Sequence, residues 1–195
     1  MPTLRIAQDA AADELLSRDA LALLIGMLLD QQFPMERAFA GPRLIADRLG
    51  VQTLDAATLV AEDAETLAKV FQGPPAVHRY PGSMAARTQE LCRLLVERYE
   101  GRAEKLWDDV PDGPTLAKRI GELPGFGAQK SKIFVALLGK RYGVTPPGWR
   151  EAAGAYGEEG SRRSVADVTG AESLAEVRRF KKEQKQAAKA ARAGA

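Results

Sequence analysis

Ile120-Gly121-Glu122-Leu123-Pro124-Gly125-Phe126-Gly127-Ala128-Gln129-Lys130 is the stretch of this chain whose residue types and spacing could do chemistry. Gly125 and Gly127 permit positive φ and leave the backbone uncovered. A helical pattern follows at once, so the first-turn amides of Ala128, Gln129 and Lys130 lack intrahelical acceptors. They point outward at the positive end of the helix dipole, where an anion such as a DNA phosphate fits. Lys130 and Lys132 add charge. Such a contact positions a protein on duplex and reads no sequence. A tight turn between two helices, with no ligand, accounts for the same residues.

Other candidates are scattered. Asp30, Gln31 and Gln32 end an apolar run, where a polar helix end is the plain reading. Glu151 is the nearest carboxylate after the second hairpin helix, where a capping or solvated role is the plainer reading. His78 and Arg79 sit in a Pro-rich stretch, and either could contact phosphate; a lone loop histidine is more often structural. Trp149 and Tyr156 are aromatics on which a base could stack, with Trp149 the better fit to a core. One cysteine, Cys92, and one histidine cannot build a zinc or iron–sulfur site.

The elements that must position these residues read as helices. Ala20–Leu29 is apolar all round, which suits the centre of a helical bundle. Gly41-Pro42 punctuates the next stretch, and helical character resumes over Arg43–Leu49. Asp55 and Asp63 stand at N-cap positions. Gln72–Gly82 reads as a loop, and Ser83 as the cap of a long helix ended by Gly101. Gly113-Pro114 opens a short helix through Ile120, Leu123–Gly127 is the hairpin turn, and Ala128–Arg141 is helical again. Tyr142–Ser164 reads as irregular, and a last helix runs from Ser173 into the tail. Alternating strand patterns are scarce, so the fold class is all-α.

The formal net charge is +2, but it is uneven. Arg178–Ala195 holds seven Lys/Arg and one Glu, whereas the preceding 177 residues hold 21 basic and 25 acidic groups. The body is therefore no general polyanion-binding surface, and any DNA contact must come from a local patch, backbone amides or the tail. The start of the chain lacks the basic and apolar regions of a signal peptide, and Ala20–Leu29 is too short to span a bilayer. The expectation is a soluble cytoplasmic protein.

Leu123-Pro124-Gly125-Phe126-Gly127 resembles the hairpin of the helix-hairpin-helix DNA glycosylases, the superfamily that includes endonuclease III and the adenine glycosylase MutY. Leu23–Gln32 is similar to that family's early helix, which ends at a DNA-probing glutamine, and Ser83–Leu95 to the helix before the hairpin. The likeness runs from about Leu21 to Tyr142 and is nearest to a compact actinobacterial type. It implies an all-α fold of two interleaved helical lobes over residues 1–177, with a DNA cleft between them and a basic tail at 178–195. It implies base flipping, with Gln32 filling the gap in the stack and Gln31 beside it. It further implies a monovalent cation, K+ or Na+, on the main-chain carbonyls of Gly121, Leu123 and Phe126. The partner would be damaged duplex DNA, the place the nucleoid, and the state a monomer.

The departures from the pattern decide the expected chemistry. Gln129 stands where bifunctional members hold a lysine, and glutamine forms no Schiff base. Lys130 is one residue on, turned by about 100°. The window Thr145–Arg150 has no carboxylate where the family places an aspartate, and Met27 stands where its adenine-specific branch has glutamate. Glu151, then Asp30, are the remaining candidate catalytic acids. The family's four cysteines for an iron–sulfur cluster are lacking. The resemblance thus implies a monofunctional glycosylase of damaged bases, with alkylated bases as the preferred class. The alternative is a DNA-structure binding protein without chemistry, and a third reading is a helical interaction domain with an incidental turn.

Overall fold

The computed structural model describes residues 3–193; the first two residues and the end of the basic tail, Gly194 and Ala195, lie outside them. Every regular element among the described residues is helical: α1 Ala10–Arg18, α2 Ala20–Leu29, α3 Met35–Leu49, α4 Ala56–Ala61, α5 Ala64–Gln72, α6 Pro81–Tyr99, α7 Gly113–Gly121, α8 Ala128–Leu137, α9 Trp149–Ala153 and α10 Ala171–Ala193. The protein is all-α. No helix among the described residues is long and apolar enough to cross a membrane.

All ten residues of α2 are buried. A helix apolar on every side has no solvent face, so others must wrap it: α1, α3 and α6 pack on it, with α4 and α5 covering α6. Helices α7, α8 and α9 pack on one another, and α8 meets the turn at Val165–Asp167 on which α10 rests. A continuous apolar core runs through all of these. Asp19 joins local to distant order. One carboxylate oxygen caps α2 at the Ala22 amide, and the other accepts from the Leu54 amide at 2.7 Å.

The caps at Asp55 and Asp63 form as read, each accepting from the amide three residues on. Several boundaries differ. Gly41-Pro42 does not break the chain but lies within α3. Glycine there leaves room for Leu29, whose Cδ1 would sit 2.7 Å from an added Cβ, and Phe39 packs equally close over Gly26. The α2–α3 contact this allows outweighs the ~3 kcal/mol penalty of an interior proline. Helix α6 begins at Pro81, not after Ser83, because proline needs no amide acceptor in a first turn. Helix α8 stops at Leu137 and widens into a π-type turn, Leu138–Tyr142, closed by Gly143 at φ 79°. The region expected to be irregular contains α9. Helix α10 starts at Ala171, two residues early, and the Ser173 hydroxyl accepts from the Thr169 and Gly170 amides.

Candidate functional site

The hairpin joins α7 to α8 where the sequence puts it, and its two glycines serve different needs. Gly125 has φ 82°, and an added Cβ would fall 2.5 Å from Leu28 Cδ1. Gly127, at φ −77°, is extended backbone with open space where a Cβ would stand. Only Gly125 therefore uses the positive φ expected of both. Gly127 is the N-cap of α8 and supplies no side-chain acceptor, so the amides of the first turn are open at an exposed surface. Phe126 does not join that surface. Its ring is buried edge-on to Phe134, 5.9 Å between centroids.

A cavity of about 680 Å³ opens beside this turn. The end of α2 contributes Asp30, Gln31 and Gln32; α8 contributes Gln129 and Lys130; the α9–α10 connection contributes Tyr156 and Arg163; and α10 contributes Phe180, Lys181 and Gln184. Among the described residues, Asp30 is the one carboxylate on this wall. Burial pushes it above the ordinary aspartate range, while Lys181 and Lys130 pull it back. Burial likewise lowers the Lys130 ammonium to about 8, and Asp30 opposes the shift. The expected rotation of Lys130 does not remove it from the site, because the cavity is wide enough for consecutive residues of one helical turn to line it. Lys130 Nζ donates to the Leu28 carbonyl at 2.9 Å, as does Gln31 Nε2 at 2.7 Å. That carbonyl ties the end of α2 to the start of α8.

Gln32 is exposed and held at φ 51°, a conformation that costs a non-glycine residue on the order of 1 kcal/mol. What holds it is partly His78. The imidazole is 1% exposed, its Nε2 donates to the Gln31 carbonyl at 3.1 Å, and its Nδ1 accepts from the Tyr80 amide at 3.1 Å. Both ring nitrogens are engaged, so the ring is neutral, and burial lowers its pKa. His78 is thus a buried strut beneath the glutamines, not the phosphate contact considered for it. Arg79 is exposed, stacked over Tyr80. Lys132 is exposed on α8.

Glu151 is not in the cavity. It is exposed on α9 beside a separate shallow depression shared with Glu158 and Glu159. Five-residue α9 turns it away because the Trp149 ring must pack over Gly139, which has no Cβ to obstruct it. Trp149 is accordingly a packing residue. Tyr156 does reach the cavity, where its hydroxyl accepts from Gln129 Nε2 at 2.9 Å. Arg163, Phe180 and Lys181 carry no sequence signal for this site. They arrive because Asp167 clamps the preceding segment to the π-type turn that follows α8. Its carboxylate accepts from Lys140 Nζ at 2.7 Å and from the Arg163 and Ser164 amides.

Among the described residues, no group of three or more His, Cys, Asp or Glu side chains could hold a metal ion. The hairpin carbonyls are hard oxygen donors of a kind that suits an alkali cation. Leu123 O already accepts from the Phe126 amide at 3.1 Å, which leaves it one lone pair for such an ion. Compared with family models, with curated proteins and with solved structures, the chain gives no match.

Proposed function

We propose that this chain is a base-excision DNA repair protein, a monofunctional DNA glycosylase with a two-lobed helix-hairpin-helix architecture and duplex held in the cleft between lobes. The observation that carries the reading is one cavity in which a half-buried carboxylate, Asp30, adjoins the exposed Gln32 and the uncapped N-terminus of α8. Its volume is in the range that accepts a small organic group such as a nucleobase. The α8 amides hold a phosphate, Gln32 takes the place of the extruded nucleotide, and the base enters against Tyr156. Asp30, protonated more readily than an ordinary aspartate, donates to the departing base; ionised, it orients the attacking water and offsets the positive charge developing on the sugar. Alkylated purines, whose glycosidic bonds are labile, need least acid assistance and are the preferred substrates. An alkali cation at the hairpin would add positive charge near the phosphate. The protein acts as a monomer in the cytoplasm, on the nucleoid.

A second reading, a lesion sensor without chemistry, is favoured by the placement of Glu151 outside the cavity, which leaves a single carboxylate on the wall. Base release from duplexes with alkylated, deaminated and oxidised bases decides between them. Strand breaks seen only after hot alkali support the glycosylase. Breaks without alkali, trapped by borohydride and lost in Lys130→Gln, assign amine chemistry to Lys130 instead. Binding without breaks supports the sensor.

A further inference from the structure

Helix α10 is anchored by Leu174 and Val177, both buried, and by half-buried Phe180, and beyond Lys181 it is exposed on every side through Arg192. Its basic residues are not evenly spread. At ~100° per residue, Arg178, Lys181, Lys182, Lys185, Lys189 and Arg192 fall within an arc of about 100°. Glu183 lies about 150° from the middle of that arc, and Ala187, Ala190 and Ala191 face the same opposite side. Arg178 is tied to Glu36 on α3. Among the described residues, the other five cations are in no ion pair. Stacking like charges at i,i+3 and i,i+4 disfavours a helix unless an external polyanion relieves it. The stripe also begins in the site, since Lys181 lines the cavity beside Asp30.

We infer that the basic face of α10 from Lys181 to Arg192 is a rail for the sugar-phosphate backbone of the duplex whose nucleotide enters the cavity. The stripe is about 17 Å long, enough for several successive phosphates. This inference rests on the DNA reading above, and it assigns to α10 a binding role independent of the hairpin. Each phosphate neutralised adds about 0.9 to the slope of log affinity against log salt.

The test is fluorescence anisotropy of the full chain on a labelled duplex across a KCl titration. The variants are K182Q/K185Q/K189Q/R192Q, the charge-preserving K182R/K185R/K189R, and G127L. Circular dichroism confirms that helix content is kept. The glutamine variant is expected to bind at least about tenfold more weakly at low salt, with the slope reduced by roughly 3–4. The arginine variant keeps the wild-type slope, and G127L weakens binding while keeping the part of the slope due to the stripe. An unchanged slope in the glutamine variant, with G127L still weakened, overturns the rail and leaves the DNA reading standing. No duplex binding by the wild type overturns both. Stripe-dependent binding to phosphatidylserine vesicles that exceeds binding to duplex overturns the rail in favour of a membrane surface.

Discussion

His78 Nε2 donates to the Gln31 carbonyl at 3.1 Å, across 47 residues of sequence, and thereby fixes the segment that presents Gln32. His78→Ala leaves that carbonyl without its donor and opens a void beneath Phe33, whose ring lies 4.7 Å from the imidazole. Urea unfolding is expected to show a loss of about 1–3 kcal/mol, with weaker DNA binding as the glutamines lose their support. The burial-lowered pKa also has a pH signature. The folded chain resists the proton that the unfolded chain binds at about 6.5, so the stability from neutral His78 is complete above that pH and is lost as pH falls below it. The gap in Tm between wild type and His78→Gln should narrow on acidification.

Asp30→Asn separates stability from catalysis. Burial raises the Asp30 pKa, so the folded form holds its proton above 3.8, where the unfolded form has released it. Stability from this group is therefore present at low pH and declines as pH rises through the raised value. The variant should match or exceed wild-type stability at neutral pH, and the difference should grow with pH. Base release should fall by about 10²-fold or more, with duplex affinity kept. Glu151→Gln should change neither. Loss of activity in Glu151→Gln alone would refute Asp30 as the acid.

The two hairpin glycines should respond differently. Gly125→Ala strains a backbone at φ 82° and drives a methyl into Leu28, which should cost more than 1 kcal/mol and lower the urea midpoint. Gly127→Ala meets open space and should change stability by less than about 1 kcal/mol. Its methyl nevertheless crowds the approach to the α8 amides, so binding to every duplex sequence should weaken alike.

Lys130 should titrate near 8. A reductively methylated sample would show one lysine resonance with that midpoint, absent from Lys130→Arg. Between about 8 and the ordinary lysine value of 10.5, the unfolded chain holds a proton that the folded chain has released, so stability rises with pH across that window. DNA affinity should fall as pH rises through about 8, where the folded protein loses the ammonium.

The Lys140–Asp167 pair, with side chains 11% and 4% exposed, supports the segment that brings Arg163 to the cavity. Asp167→Ala strands a buried ammonium and two amides and should cost about 3–5 kcal/mol by urea denaturation. Arg163→Ala keeps the backbone amide that Asp167 accepts from and removes only a partly exposed side chain, so it should leave stability within about 0.5 kcal/mol.

Local signals were legible in the sequence alone. The helical class, the buried Ala20–Leu29 run, the Asp55 and Asp63 caps and the Gly127–Ala128 boundary all follow from propensity, capping and periodicity within a few residues. Tertiary structure decided the rest. Pro42 stays helical because two glycines let α2 and α3 approach, and His78 is buried because a distant carbonyl needs its proton. Asp30, Lys130, Tyr156 and Lys181 share one cavity while Glu151 faces elsewhere. Periodicity tells which face of a helix is apolar, but the rotation and crossing of one helix against another depend on side-chain packing between residues far apart in the chain. A single turn of difference there chooses which carboxylate meets the cavity.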